Sequence, residues 1–206
     1  MSEYEKNIER LYQEPVFAKG GGVCRSPWDI DWQDEPFSPR DETLISPIKL
    51  PGIMKDIWEK GEPTKTSAVY IHVPFCRLSC TYCAFYKKQA DEAAQHAYAN
   101  LLVKEIQSLQ NRPYLTRSKI SSIFFGGGTP GILSAADISS IMEAIHEVLP
   151  LTKDAEITME SSLSDMTEEK MDAAISCGVN RFSFGVQSFD TKIRNAVGRP
   201  LPREEV

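Results

Sequence analysis

Residues 120–149 read Ile-Ser-Ser-Ile-Phe-Phe-Gly-Gly-Gly-Thr-Pro-Gly-Ile-Leu-Ser-Ala-Ala-Asp-Ile-Ser-Ser-Ile-Met-Glu-Ala-Ile-His-Glu-Val-Leu. Ile120–Phe125 is a short apolar run of strand length. Gly126-Gly127-Gly128-Thr129-Pro130 then interrupts any regular element. From Ser134 onward, Ile138, Ile141, Met142, Ile145 and Val148 recur at helical spacing. Ser134 with Asp137 resembles a capping box at the start of that helix. The stretch is one strand, one glycine turn and one helix.

The same unit recurs on both sides. Ala68–Val73 is a β-branched strand, and Asp91–Asn111 carries Tyr98, Leu101, Leu102, Ile106 and Leu109 at helical spacing. Ala155–Glu160 is a strand, followed by a helix over Thr167–Cys177 that Gly178 stops as a left-handed cap. Asn180–Val186 is the fourth strand, and a helix begins near Phe189. Alternating strand and helix predicts an α/β fold with a parallel sheet and right-handed crossovers. A barrel and a doubly wound sheet both fit four such units. In either, ligands sit at the C-terminal ends of the strands.

Residues 1–66 differ. They lack strand signals and are rich in Pro, Gly and charge, with helical patches at 4–13 and 52–60. The domain division expected is therefore an N-terminal extension, 1–66, and a βα core, 67–206. Phe17, Trp28, Trp32, Phe37 and Trp58 could form a binding surface, but packing anchors of a loop-rich arm are the favoured reading.

Composition narrows the class. The 206 residues are 41% hydrophobic and 25% charged, which is the balance of a globular protein and excludes wholesale disorder. The net charge of −6 argues against a generally basic nucleic-acid surface. The start, Met-Ser-Glu-Tyr-Glu-Lys, has no apolar secretory core, and no run of ~18 apolar residues exists to span a bilayer. A reducing cytoplasm is the expected compartment. Three of the five cysteines, Cys76, Cys80 and Cys83, crowd into one loop, while Cys24 and Cys177 stand apart. An odd, clustered set in such a compartment argues for metal binding over disulfides.

The strand ends carry the chemistry. Cys76-x-x-x-Cys80-x-x-Cys83 follows the first strand, Gly126–Pro130 the second, Glu160 closes the third, and Gln187 follows the fourth. Cys-x3-Cys-x2-Cys places three thiolates around one centre. With His72 as fourth ligand it would make a structural zinc site. Without a fourth it suits a [4Fe–4S] cluster with one open iron.

Tyr70-Ile-His-Val-Pro-Phe-Cys76-Arg-Leu-Ser-Cys80-Thr-Tyr-Cys83 together with Gly-Gly-Gly-Thr-Pro resembles the radical S-adenosylmethionine (SAM) enzymes, over about residues 68–200. The likeness is to the branch acting on porphyrins. That branch holds oxygen-independent coproporphyrinogen III dehydrogenases, heme chaperones and anaerobic heme-degrading methyltransferases. The resemblance implies a (β/α) TIM-like barrel in which Cys76, Cys80 and Cys83 hold a [4Fe–4S] cluster and SAM is cleaved reductively. It also implies a low-potential electron donor such as flavodoxin or ferredoxin, and heme or a porphyrin as substrate. Gly127, Gly128 and Thr129 are expected to receive the methionine end of SAM through the main chain. Glycines suit close backbone approach.

Strand alternation supports a barrel. Val69, Ile71 and Val73 share one face of the first strand, and Tyr70 and His72 the other. Ile157 and Met159 oppose Glu156, Thr158 and Glu160. Phe182, Phe184 and Val186 oppose Arg181, Ser183, Gly185 and Gln187. One polar face per strand fits a lumen better than a sheet covered by helices on both sides. Tyr70, Glu160 and Gln187 fall in that lumen. By resemblance these three, with Tyr82 and Arg199, contact SAM. No catalytic acid or base is assigned.

Departures from the branch's patterns choose among its members. No cysteine stands two residues after Cys83, where Ala84-Phe85-Tyr86 follows, unlike the dehydrogenases. The chaperones' Asp after the third cysteine and Glu-x-Asn-Pro are replaced by Ala84 and Glu160-Ser-Ser-Leu. The resemblance is thus to the heme-utilisation type, which transfers a methyl group to the porphyrin, opens the ring and releases iron. A heme chaperone, a coproporphyrinogen oxidase and a zinc-stabilised binding module are the alternatives. A full barrel takes ~250 residues. The expectation is therefore a partial, truncated barrel with its remaining strands beyond Val206.

Overall fold

The computed structural model describes residues 48–63, 66–84 and 88–206. The arm's aromatics before Trp58, Cys24, the helical patch at 4–13 and the Phe85-Tyr86 pair lie outside them. Leu50–Val206 form one compact unit. That unit starts with α1 (Leu50–Lys60), ahead of the boundary placed at 66/67. Trp58 of α1 packs edge-on to Tyr114 with ring centroids 5.8 Å apart, and Arg117 donates to the Gly61 carbonyl at 2.7 Å. The helix before the first strand thus rests on the short helix that precedes the second.

The elements then follow as β1 (Ser67–Val73), α2 (Glu92–Ser108), α3 (Pro113–Arg117), β2 (Ile120–Gly127), α4 (Ala135–Val148), β3 (Leu151–Ser161), α5 (Glu168–Ser176), β4 (Arg181–Phe184) and α6 (Thr191–Ala196). The four strands form one sheet in the order β1-β2-β3-β4, every pair parallel. This order decides between the two architectures left open. A doubly wound sheet reverses direction at a switch point; here each strand adds beside its predecessor, as in a (β/α) barrel wall.

Local chemistry explains the boundaries. The Asp91 carboxylate accepts from the Ala94 amide at 2.8 Å and starts α2. The Ser134 hydroxyl accepts from the Asp137 amide at 3.1 Å, and Thr167 and Asp190 cap α5 and α6 in the same manner. Gly178, at φ +100°, ends α5 as expected. Two expected elements run too long. Helix α2 ends at Ser108, because Pro113 opens α3 and Asn111 turns at φ +62° between them. Strand β4 stops at Phe184, because Val186 donates back to the Phe184 carbonyl and Gln187 takes φ +68°.

The core lies between the sheet's outer face and the helices. Ile71, Val73, Ile123, Phe125, Ile157 and Met159 pack there against Ile138, Ile141, Met142 and Ile145 of α4. The other face holds Tyr70, Phe124, Thr158 and Arg181 in one register row. It is less uniformly polar than alternation suggested. Tyr70 stacks on Phe124 with centroids 6.2 Å apart and planes 13° apart. Thr158 is fully buried and donates to Glu156 at 3.0 Å, and Glu156 in turn receives Arg181 at 2.8 Å.

Candidate functional site

The loop after β1 runs along the C-terminal edge of the sheet. It is fixed to the next strand end by the backbone. Gly128 and Thr129 donate their amides to the carbonyls of Val73 and Phe75 at 2.8 and 2.7 Å. These two N–H groups are therefore committed, and the carbonyl oxygens and the Thr129 hydroxyl are the groups these residues can offer a ligand. The approach requires glycine. A Cβ on Gly128 would stand 2.5 Å from the Phe75 carbonyl oxygen, and Gly127 sits at φ +112° with the His72 ring against it.

A cavity of about 320 Å³ opens here. Cys76, Cys80 and Cys83 all line it, with Tyr82, Gly127, Gly128, Thr129 and Arg199. Eight of the eleven residues expected to bind cluster or cofactor thus converge on one space. Cys76 Sγ lies 3.4 Å from the Thr129 hydroxyl, and the Arg199 Nε–H donates to Cys80 Sγ at 3.1 Å. Burial pushes the Tyr82 hydroxyl above its usual pKa, partly opposed by Arg199. For Arg199 the largest influence is burial, which acts against its charge, but Cys80 and Tyr82 outweigh it and hold the guanidinium's pKa up.

Tyr70, Glu160 and Gln187 are not among the lining residues. Tyr70 leans over Gly126, where a Cβ would stand 2.9 Å from its ring. Burial raises the pKa of Glu160, and both burial and the nearby Glu160 raise that of Tyr70. These two are therefore electrostatic neighbours on the lumen face. The amide of Gln187 lies beside Gly185, as does the Arg199 guanidinium.

The fit of the cysteines to a metal group is specific. Among the described residues, no three His, Cys, Asp or Glu side chains stand close enough to share one metal ion. The zinc alternative also loses its fourth ligand. His72 is not on the cavity wall, and its Nδ1 lies 3.3 Å from the Tyr70 hydroxyl. An iron–sulfur cluster makes a different demand, because each thiolate binds a separate iron at a separate corner. Three half-buried thiols spaced around one cavity meet that demand.

Several contributors were not foreseen. Arg77, inside the cysteine loop, pairs with Asp165 at 2.8 Å and donates to the Ser164 carbonyl at 2.8 Å. Ser162 donates to the other Asp165 oxygen in a short hydrogen bond. Lys170 donates to the carbonyls of Gly131, Ile132 and Asp165 at 3.0, 3.2 and 3.1 Å. Burial lowers its pKa. Arg194 is only 2% exposed and donates to the carbonyls of Val186, Ser188 and Leu201. No local pattern marks these five side chains. Arg77, Lys170 and Arg194 reach partners at other strand ends or in a loop that folds back, and Ser162 meets Asp165 within the loop after β3.

The profile of the radical SAM superfamily matches residues 70–206. An anaerobilin synthase of Escherichia coli O157:H7 is 34% identical over 81% of this chain and 39% of its own length. An oxygen-independent coproporphyrinogen III oxidase of Paracoccus denitrificans is 36% identical over 64% of this chain and 29% of its own. The heme chaperone HemW of Lactococcus lactis is 35% identical over 66% and 34%. The solved coproporphyrinogen III oxidase (HemN) of Escherichia coli superposes with a TM-score of 0.64 at 27% identity. The match covers 75% of this chain and 35% of that one. The chain spans about two-fifths or less of the length of each of these relatives. Among the described residues, no helix is long and apolar enough to cross a membrane.

Proposed function

The chain belongs to the radical SAM superfamily, whose members use a [4Fe–4S] cluster and S-adenosylmethionine, and from that premise we propose that it serves anaerobic heme degradation. In this reading Cys76, Cys80 and Cys83 hold the cluster, which when bound supplies the electron that cleaves SAM. The observation that carries the cofactor reading is the convergence of the three thiols with Gly127, Gly128 and Thr129 on one cavity. Because the amides of Gly128 and Thr129 are already donated, this edge suits the ammonium of SAM, which needs acceptors. Glu160, Tyr70, Gln187, Tyr82 and Arg199 complete the proposed set. Glu160 supplies a carboxylate for a cation or a ribose hydroxyl. A low-potential donor such as flavodoxin or ferredoxin, in a reducing cytoplasm, is part of the same proposal.

The substrate reading rests on the reach of one similarity. Residues 70–206 are two-thirds of the chain, so an alignment covering 81% of it necessarily includes sequence before Tyr70. The anaerobilin synthase therefore shares part of the arm as well as the radical SAM region. Heme is the substrate we assign, with methyl transfer, ring opening and iron release. The protein, cluster-loaded and incubated without oxygen with SAM, reductant and heme, is expected to bleach the Soret band and release iron. An unchanged Soret band with an intact cluster would remove the heme-degrading reading. Heme bound and passed on whole would assign the chaperone activity instead.

A further inference from the structure

The segment following α6 lies against the cysteine loop along its length. The Thr81 amide donates to the Val197 carbonyl at 3.3 Å, and its hydroxyl to the Ala196 carbonyl at 3.4 Å. Gly198, at φ +76°, passes so close that a Cβ would stand 3.1 Å from the Ser79 carbonyl oxygen. Arg199 then spreads its guanidinium over three acceptors. Nε donates to Cys80 Sγ at 3.1 Å, Nη1 to the Gly185 carbonyl at 3.2 Å, and Nη2 to the Tyr82 hydroxyl at 3.4 Å. The segment is itself anchored, because buried Arg194 binds the loop after β4 and the Leu201 carbonyl.

We propose that Arg199 is a positioning residue for the cluster. It clasps the cysteine loop to the end of β4 and, through its hydrogen bond to the Cys80 sulfur, raises the cluster's reduction potential. This rests on the cluster reading above and goes beyond contact with SAM. A donor and a positive charge at a ligand sulfur stabilise the more electron-rich, reduced state. Arginine suits the task because its planar fork presents donors in fixed directions to sulfur, hydroxyl and carbonyl, whereas an ammonium is a compact point charge on a flexible stem. Cys76, by contrast, has the neutral Thr129 hydroxyl 3.4 Å from its sulfur.

The test is an EPR-monitored redox titration of the reconstituted protein without SAM, alongside iron per chain and SAM affinity. Arg199→Met is expected to shift the midpoint to more negative potential and to lower iron retention. Arg199→Lys should restore part of the shift. Tyr82→Phe, which keeps the bond to sulfur but loosens the fork, should give a smaller shift in the same direction and covers the case in which Arg199→Met fails to fold. An unchanged midpoint in Arg199→Met, or in Tyr82→Phe should Arg199→Met not fold, with only SAM affinity lowered, would overturn the proposal and leave Arg199 as a SAM ligand alone. A wild-type protein that takes up no iron and sulfide would overturn the cluster reading itself, a distinct result.

Discussion

Arg77 and Asp165 join the middle of the cysteine loop to the loop after β3 through an ion pair of 2.8 Å, one partner half-exposed and the other 9% exposed at its side chain. The Asp165 carboxylate also accepts from Ser162. The two partners are therefore unequal. Arg77→Ala is expected to cost about 1 kcal/mol, the upper end for a solvent-screened pair. Asp165→Ala removes the acceptor of both the Arg77 guanidinium and the buried Ser162 hydroxyl, which is left with the Ser164 hydroxyl at 3.1 Å, and is expected to cost about 2 kcal/mol. Denaturant unfolding of the two variants and the double variant measures both the asymmetry and the coupling. Equal costs would show that the Ser164 hydroxyl satisfies Ser162 by itself.

Gly128 and Gly52 form an internal comparison. The three atoms nearest a Cβ on Gly128 are main-chain atoms of Phe75, at 2.5–2.9 Å, whereas one on Gly52 in α1 meets nothing within 4 Å. Gly128→Ala should destabilise by about 1–3 kcal/mol through overpacking that rotamer changes cannot relieve. It should also lower the iron bound per chain. Gly52→Ala should be neutral or stabilising by up to about 1 kcal/mol. Thermal melts with iron analysis check both.

Glu160 gives the pH dependence. Burial raises its folded pKa above the usual 4.5. Its contribution to stability is therefore full below the unfolded pKa and is lost as pH rises through the folded value. Glu160→Gln removes that loss. The variant's melting temperature should match wild type at about pH 4 and exceed it at about pH 7. A gap of constant size across the range would show that the carboxylate is not desolvated. If Glu160 also faces the SAM ammonium, the stabilised variant should bind SAM more weakly.

Lys170 ties the turn after Thr129 to the loop after β3 through three carbonyls. Lys170→Met keeps the stem and removes the donors. A loss of about 2 kcal/mol is expected from partly buried carbonyls left unpaired. Hydrogen exchange should rise at Ile132 and Leu133, whose amides close that turn.

Short-range patterns carried most of the fold and half the meaning of the site. Spacing marked each strand and every helix but α3, because caps such as Ser134 and Thr167 and stops such as Gly178 act within three or four residues. The cysteine loop and glycine turn were legible because each is contiguous. Arg194 was not legible. Its place on a short polar helix suggests exposure, but the loop after β4 and the fold-back to Leu201 take up its guanidinium. Gln187 carries a left-handed backbone angle that glycine would ordinarily signal. Its offset from the cavity follows from that turn. Phe124 escaped the lumen reading because its neighbours on β2 were read as a plain apolar run.

The bonds that seat the cysteines also impose an order in time. Cys76 meets Thr129 across 53 positions, Arg77 meets Ser164 across 87, and Cys80 meets Arg199 across 119. A chain emerging from the ribosome presents its three thiols well before any of these partners has been synthesised. During that interval the loop is unshaped, and its sulfurs are open to oxidation and to stray ions. Whatever the loop is built to hold is best delivered after Arg199 has emerged and closed on it. Loading is then expected to be a late step of biogenesis, coupled to completion of the segment after α6 and not to the appearance of the cysteine motif.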